Sequence, residues 1–250
     1  MRASSCTISR QTGVMMATYP CRNDEIMNIA IFHSTKPRQA DDGSWNAHAT
    51  VADAIETLKE GFHPVWTAML NHADEVKCYT VSHRDVIPRM NNGRAVVVGD
   101  AAHPMAPTVS LQKHPLLARH ADCVVLQHAQ GGCSAIEDTA ALEALFTGFD
   151  ANVDSVADRL KLSNQLRLPR ANVTQLLSNA MFYRVDSSEQ MNARMRKYYQ
   201  GPLIPDGEVA FSKGIQEFFS NYDVYKEASK AMEYKSVPGG VPDGVIKHFW

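Results

Sequence analysis

Gly93-Arg94-Ala95-Val96-Val97-Val98-Gly99-Asp100-Ala101-Ala102-His103-Pro104-Met105-Ala106-Pro107 is the stretch on which the reading of this 250-residue chain turns. Val96 to Val98 form a short, continuous β-branched run. That is the pattern of a strand covered on both faces, as parallel strands between helix layers are. Gly99 lets the chain turn sharply at the strand's carboxyl end, and in open α/β sheets ligands bind in the crevice just outside those ends. Asp100 is thereby placed where a ligand sits, so any chemistry of this segment starts at its carboxylate. A Gly-Asp pair alone carries little weight, because it is equally at home in an ordinary turn or at a helix N-cap after a strand. The weight comes from a second segment downstream, Gln130-Gly131-Gly132-Cys133-Ser134-Ala135-Ile136-Glu137-Asp138.

Taken together, the two segments resemble the second flavin-binding motif of the FAD-dependent aromatic-ring monooxygenases, the group that includes salicylate hydroxylase and para-hydroxybenzoate hydroxylase. The family pattern reads G-D-A-A-H-P, a few residues to another proline, then Q-G, a small residue, and A-I-E-D opening a helix. Gly99 to Pro107 supplies the first half and Gln130 to Asp138 the second. The resemblance implies a mixed α/β (α+β) fold: the remnant of an FAD-binding Rossmann-like domain, part of a mixed β-sheet substrate domain, and C-terminal helices. It also implies FAD as cofactor, NADH or NADPH as co-substrate, and hydroxylation of an aromatic or similar small organic substrate by molecular oxygen. Gly99, Asp100, Ala101, Pro107, Gly131, Gly132 and Cys133 are the cofactor-binding residues so implied. Asp100 would accept a hydrogen bond from a ribityl hydroxyl, Gly131 and Gly132 would present backbone N–H groups toward the flavin's pyrimidine side, and Pro107 would pack near the ring. His103 reads as a residue that fixes the turn, and no side chain in the segment reads as a catalytic base.

The chain departs from the family pattern between the two halves, where Thr108 to Ala129 (TVSLQKHPLLARHADCVVLQHA) intervene. Connections longer than about 12–15 residues without structure of their own are uncommon inside compact domains. Two readings of this insertion stand. One is a translated, unspliced intron, since Val109-Ser110 can be encoded by GTNAGT, Ala121-Asp122 by GCTGAC and Gln130 by CAG, which resemble donor, branch and acceptor sites. The other is a genuine functional loop. The insertion's His114, His120, Cys123 and His128 lack the tight ligand pairs of a zinc site, so no metal is expected.

The family's G-x-G-x-x-G pyrophosphate loop has no counterpart in the sequence, nor has its middle Asp-Gly fingerprint a convincing one, since Asp42-Gly43 is a bare dipeptide in a polar loop and reads as a turn. The expectation is a truncated form that begins inside the substrate domain. Residues 1–90 would be a partial substrate-binding domain, 91–185 the C-terminal part of the FAD-binding domain with its insertion at 108–129, and 186–250 a helical tail. The alternative is a catalytically inactive remnant without cofactor, acting at most as a protein-interaction module. A serine hydrolase is excluded because Gly132-Cys133-Ser134-Ala135-Ile136 lacks the final glycine of a nucleophile elbow.

Composition narrows the partners. A hydrophobic content of 44% suits a globular core, and 25 basic against 27 acidic residues give a net charge of −2, which leaves no basic field for nucleic acid. Five widely spaced cysteines fit reduced thiols better than a disulfide framework, and no apolar stretch reaches the roughly 20 residues of a membrane span. A cytoplasmic protein with small-molecule partners is expected, its oligomeric state left open.

Along the chain, residues 1–13 show no periodicity and read as loose. Met15 to Pro20 and Ile26 to His33 read as antiparallel strands flanking a polar break at Arg22 to Glu25. Thr50 starts a helix with Val51, Ile55, Leu58 and Phe62 on one face, and Pro64 starts a second. Lys77 to Ser82 alternate weakly as a strand. Helices are predicted over Ser134 to Phe149, where Glu137 and Asp138 would suit the positive first turn, and over Val153 to Met181. The second contains Arg167-Leu168-Pro169-Arg170, which resembles the family's R-x-P-R signature. Arg159, Arg167 and Arg170 are candidates for phosphate contact or for bracing ion pairs, the commoner fate of helix arginines. Gly214 to Met232 reads as one helix whose Phe218, Phe219, Tyr222 and Tyr225 serve packing.

Overall fold

The polar break at Arg22–Glu25 becomes the turn of a hairpin in which β2 (Met15–Cys21) pairs antiparallel with β3 (Ile26–Phe32), from Met15 opposite Phe32 to Cys21 opposite Ile26. The computed structural model describes residues 5–9, 11–34, 46–47, 49–79, 81, 84–105, 130–183, 188–198 and 213–233. These fall into two compact units, one within Met1–Val81 and the other within Ser82–Val109 and Leu126–Trp250.

In the first unit the amino-terminal segment, expected to be loose, instead supplies β1 (Ser5–Ile8), which pairs with β2 from Ser5 opposite Thr18 to Ile8 opposite Met15. Its stabilisation comes from ladder bonds to a neighbour and from the Ser5 Oγ to Thr18 Oγ1 hydrogen bond of 2.8 Å, neither of which leaves a hydrophobic period in a four-residue strand. The resulting order β1-β2-β3 makes β2 the central strand, and Met15, Met16, Ala17 and Thr18 are buried in it. Thr50 caps α1 (Val51–Lys59) through a reciprocal box: its hydroxyl oxygen accepts Asp53 N–H, and the Asp53 carboxylate accepts Thr50 N–H. Pro64 occupies the first turn of α2 (Pro64–Leu70), where its missing N–H costs nothing. Leu58 and Leu70 of these helices meet Val14 and Met16 in a core completed by Ile29, Ile31, Ile55, Phe62 and Trp66. The strand expected over Lys77 to Ser82 is seen at β5 (Cys78–Tyr79), paired antiparallel with β4 (Asn46–Ala47).

In the second unit Val96 to Val98 do not form a strand covered on both faces. β7 (Ala95–Val96) pairs antiparallel with β6 (Asn91–Asn92) in a short hairpin, and Val97 is 41% exposed. β-Branched residues favour a strand without choosing its partner, and here Gly93, at φ +56 in the two-residue turn, brings the local partner first. The fold is of the mixed α/β class expected, and the sheets among the described residues are antiparallel.

Helix α3 (Gln130–Phe146) begins four residues before the predicted Ser134, and Gly148, in the left-handed region at φ +67, follows its end. α4 (Val156–Tyr183) follows with Pro169 inside it, then α5 (Ser188–Met195), which carried no clear sequence signal. The single tail helix expected is two, α6 (Lys213–Ser220) and α7 (Val224–Met232). They part because the Asp223 carboxylate accepts Lys226 N–H at 3.0 Å and so starts α7 afresh. Ala141 and Leu145 of α3, Leu162 and Leu166 of α4, and Ala228 and Ala231 of α7 form one core, the alanines allowing close helix approach. Val173, Leu176 and Leu177 of α4 form another with Met195. Among the described residues no helix is long and apolar enough to cross a membrane.

Gly61 supports the first unit in a way that can be tested. It has φ +87, and a Cβ there would overlap Ser9 Oγ and stand 2.9 Å from Ser9 Cβ. Gly61→Ala is expected to destabilise by about 2 kcal/mol or more, combining left-handed strain with a clash. Urea unfolding followed through Trp66 fluorescence checks it, and an unchanged midpoint would refute the close approach.

Candidate functional site

The second unit places Asp100 in a 3-10 turn, Gly99–Ala101, that only its first residue makes possible. Gly99 has φ +58, and a Cβ there would also lie 3.4 Å from Ala135 Cβ on α3. The Gly99 carbonyl accepts the N–H groups of Ala102 and His103, both at 2.8 Å, which closes the turn. Gly99, Ala102 and His103 are buried as a result, while Asp100 and Ala101 are exposed.

The amino end of α3 lies beside this exposed carboxylate. A Cβ on Gly131 would stand 3.9 Å from Asp100 Oδ1 and 4.0 Å from Met105 Cβ, whereas one on Gly132 would meet nothing within 4 Å. The first turn of an α-helix leaves its N–H groups without intrahelical partners and carries the positive end of the helix dipole. In α3 that turn holds Gly131, Gly132 and the exposed Cys133. The two sequence halves, separated by Thr108 to Ala129, thus meet at Asp100 and Gly131. Pro107 and the insertion, with its histidines and Cys123, lie outside the described residues.

Beneath the turn is a network of buried charge. Asp138 Oδ2 accepts Gly99 N–H at 3.0 Å and lies 2.7 Å from His103 Nε2, while Oδ1 accepts Arg167 Nε at 2.9 Å. Arg167 lies 2.7 Å from Glu137 Oε2 and donates to the Ser134 carbonyl at 3.3 Å. Arg170 grips both Glu137 oxygens at 2.8 Å and donates to the carbonyls of Phe218 and Phe219 at 2.9 and 3.1 Å. Its guanidinium carbon lies 4.2 Å from the Tyr222 ring centre and 5.0 Å from that of Phe218, a stacked cation–π arrangement. Arg159 pairs with Asp154 at 2.9 Å and donates to the Leu145 carbonyl. All three arginines of α4 therefore serve as braces, in agreement with the commoner of the two roles open to them. Glu137 and Asp138, read as first-turn carboxylates, lie farther along α3 because the helix starts at Gln130, and guanidinium partners replace the dipole as their reason.

Burial by itself would raise the Asp138 pKa. The His103 hydrogen bond, the Arg167 charge and Gly99 N–H together outweigh that and hold it below the ordinary carboxylate value. Burial pushes the Tyr222 phenol up, against the opposing pull of Arg167.

The far side of the turn is held by Arg84, which sequence reasoning missed. Its guanidinium donates to the carbonyls of Ala101 and Ala102 at 2.6 and 2.8 Å. Its own carbonyl accepts Gln175 Nε2 at 2.9 Å, Asn172 Nδ2 donates to Ile87 O at 3.2 Å, and Asn164 Oδ1 accepts Met90 N–H at 2.6 Å. The polar side chains of α4 thus satisfy the backbone of the segment that leads to the turn. A signal for the arginine pairing was present: Arg167 and Arg170, three apart, share a helix face, and Glu137 and Asp138 supply two adjacent acids to match.

Comparison with known proteins follows the same lines. An FAD binding domain family model matches residues 2–111. The chain is 25% identical over 214 residues to the FAD-dependent monooxygenase phomE of Diaporthe leptostromiformis, covering 86% of this chain and 48% of that protein. It is 26% identical to the FAD-dependent monooxygenase cfoG of Aspergillus candidus, over 70% of this chain and 36% of the relative. It is 25% identical to salicylate hydroxylase of Pseudomonas putida, over 62% and 32% respectively. The chain spans less than half the length of these relatives. Among solved structures, native FqzB shares the fold at TM-score 0.56 and 20% identity, over 89% of this chain and 45% of that one.

Two outcomes are expected of the network. Arg170→Met, which removes one of the two arginines on Glu137 and leaves the Phe218 and Phe219 carbonyls without that donor, should cost about 3–5 kcal/mol in urea unfolding, and a cost under about 1 kcal/mol would count against a bracing role. Because the Asp138 pKa is depressed on folding, its contribution is fully present above the unfolded carboxylate value near pH 4 and is lost as pH falls through the lower folded value. Asp138→Asn should therefore flatten the loss of stability seen below about pH 4 in acid titrations.

Proposed function

We propose that this chain, an FAD-dependent aromatic monooxygenase-like protein, supplies the carboxylate and glycine side of a flavin site in an enzyme that hydroxylates an aromatic or similar small organic substrate. Molecular oxygen and NADH or NADPH are its co-substrates. The observation that carries this reading is the approach of Gly131 to the exposed carboxylate of Asp100.

The residues fit such a molecule in three respects. Asp100 is an exposed acceptor suited to the hydroxyls of a sugar-alcohol chain. The absence of side chains at Gly131 and Gly132 leaves room at a helix start whose N–H groups suit ring carbonyl oxygens. Gly99 fixes the turn, and Ala101 lies exposed beside Asp100. Cys133 and Pro107 complete the proposed cofactor-binding set, Pro107 on the resemblance alone. FAD, when bound, supplies the electron transfer and oxygen chemistry, and the protein's part is to bind, orient and shield it. Asp100 accepts a hydroxyl hydrogen bond, the α3 first turn donates to ring oxygens, and Arg84 and Asp138 hold the turn from either side. No base is assigned in the segment: His103 is 1% exposed and faces Asp138. The near-neutral charge supports small-molecule partners over nucleic acid, and we place the protein in the cytoplasm.

The purified chain should quench FAD fluorescence on titration and retain the visible absorbance bands of oxidised flavin. Asp100→Ala removes a hydrogen bond to a charged acceptor, about 1.5–3 kcal/mol, and should weaken FAD by about tenfold to a hundredfold. A colourless wild-type protein that leaves FAD fluorescence unchanged would overturn the reading.

A further inference from the structure

We infer that Asp138 is a positioning residue of the flavin site, fixing the turn that presents Asp100 to Gly131 without itself reaching the bound molecule. The inference deepens the flavin reading above and rests on it.

Three groups converge on this carboxylate, two from the turn segment and one from α4. Oδ2 takes Gly99 N–H at 3.0 Å and the His103 ring nitrogen at 2.7 Å, so one oxygen ties the first residue of the turn to the residue just past its end. Oδ1 takes Arg167 Nε at 2.9 Å, and with Arg167 fully buried the carboxylate has no reason to rotate toward solvent. Asp138 and His103 side chains are 0% and 1% exposed, which keeps both away from any ligand lying on the exposed Asp100. Glycine explores more backbone conformations than any other residue, so the N–H bond at Gly99 is what selects the left-handed one.

The residue type matters as well. Gly99 N–H and Arg167 Nε are donors, and with a carboxylate opposite Nε2 the His103 ring donates there too. His103 Nδ1 is buried without a hydrogen-bond partner among the described residues, so Nε2 is the anchor of the ring. Three donors on two oxygens require an ionised carboxylate, and an amide would turn an NH2 against one of them.

A division of labour separates this role from simple bracing. Glu137 pairs with both Arg167 and Arg170, so a clamp between α3 and α4 remains when the Asp138 charge is removed. Gly99 N–H and His103 Nε2 both turn to Asp138.

The experiment uses the full chain, with Asp138→Asn and, as a gentler second variant, His103→Gln, which leaves the Arg167 pair in place. Three quantities are read: the FAD dissociation constant by fluorescence quenching, the unfolding midpoint without flavin, and amide hydrogen exchange without flavin. Asp138→Asn is expected to weaken FAD at least tenfold and to speed Gly99 exchange at least tenfold, while the amides of Leu162 and Leu166 keep their protection. His103→Gln is expected to weaken FAD at least threefold and to speed exchange at Ala102 and at the substituted position itself, again with the helices protected. FAD affinity within twofold of wild type in both folded variants overturns the inference, as does loss of protection spread equally over the turn and α4. Should wild type fail to bind FAD, the functional reading falls by itself. The exchange data then decide, and an unaltered turn in the variants overturns the positioning role too. If Asp138→Asn does not fold, His103→Gln is judged by the same limits.

Discussion

The contact between Arg167 and Asp138 is the constraint from which the helical unit follows. Both side chains are fully buried, and stripping water from two ions costs several kcal/mol each unless every remaining donor and acceptor is answered. Much of that demand is met here: Asp138 also takes Gly99 N–H and the His103 ring, and Arg167 also lies against Glu137 and donates to the Ser134 carbonyl. Removing Arg167 would leave Asp138 buried without its guanidinium, whereas Arg167 keeps Glu137 as a second acid when the Asp138 charge is removed. Around that pair the alanine and leucine packing of α3, α4 and α7 supplies the apolar burial that an ion pair alone does not.

The same pair explains how two segments distant in sequence make one surface. Asp138 belongs to α3 and Gly99 to the turn, so the bond between them brings the acid of Asp100 to the helix start at Gly131. None of these contacts involves Thr108 to Ala129. Loop-closure cost rises only by about 0.6 kcal/mol per doubling of length. Growth from a few residues to a 22-residue connection therefore costs about 1–2 kcal/mol, less than the roughly 3–5 kcal/mol lost when one partner of a buried ion pair is removed. The long excursion is compatible with an intact meeting point, whatever its origin.

Local rules were legible in the sequence. Thr50 with Asp53, Pro64 at a helix start and the polar break between β2 and β3 each satisfy backbone groups within a few residues, so residue type alone points to them. What escaped depended on distant partners. β1 is a strand because β2 offers an edge, and Val96 to Val98 are not a covered strand because the nearest edge is Asn91–Asn92. α4 is the strongest case: Arg159, Ser163, Arg167, Arg170, Asn172, Thr174, Gln175 and Ser178 look like a solvated face and are all buried. The partners of Arg167, Arg170, Asn172 and Gln175 are acids on α3, carbonyls of α6, and the backbone at Arg84 and Ile87. At the site, the motif pointed to Asp100 and Gly131, whereas Arg84 carried no pattern of its own.

A helix seated by charge differs mechanically from one seated by grease. Packed elements can shift past one another by a full helical turn, about 5.4 Å, when both arrangements seat their side chains. Such a slip of α4 would set Ser163 or Ala171 opposite Asp138, and Leu166 or Thr174 opposite Glu137, with guanidinium groups stranded against alkyl chains. The ions act as detents. Shear along this helix axis is thereby locked out, and the ledge bearing Asp100 inherits that stiffness.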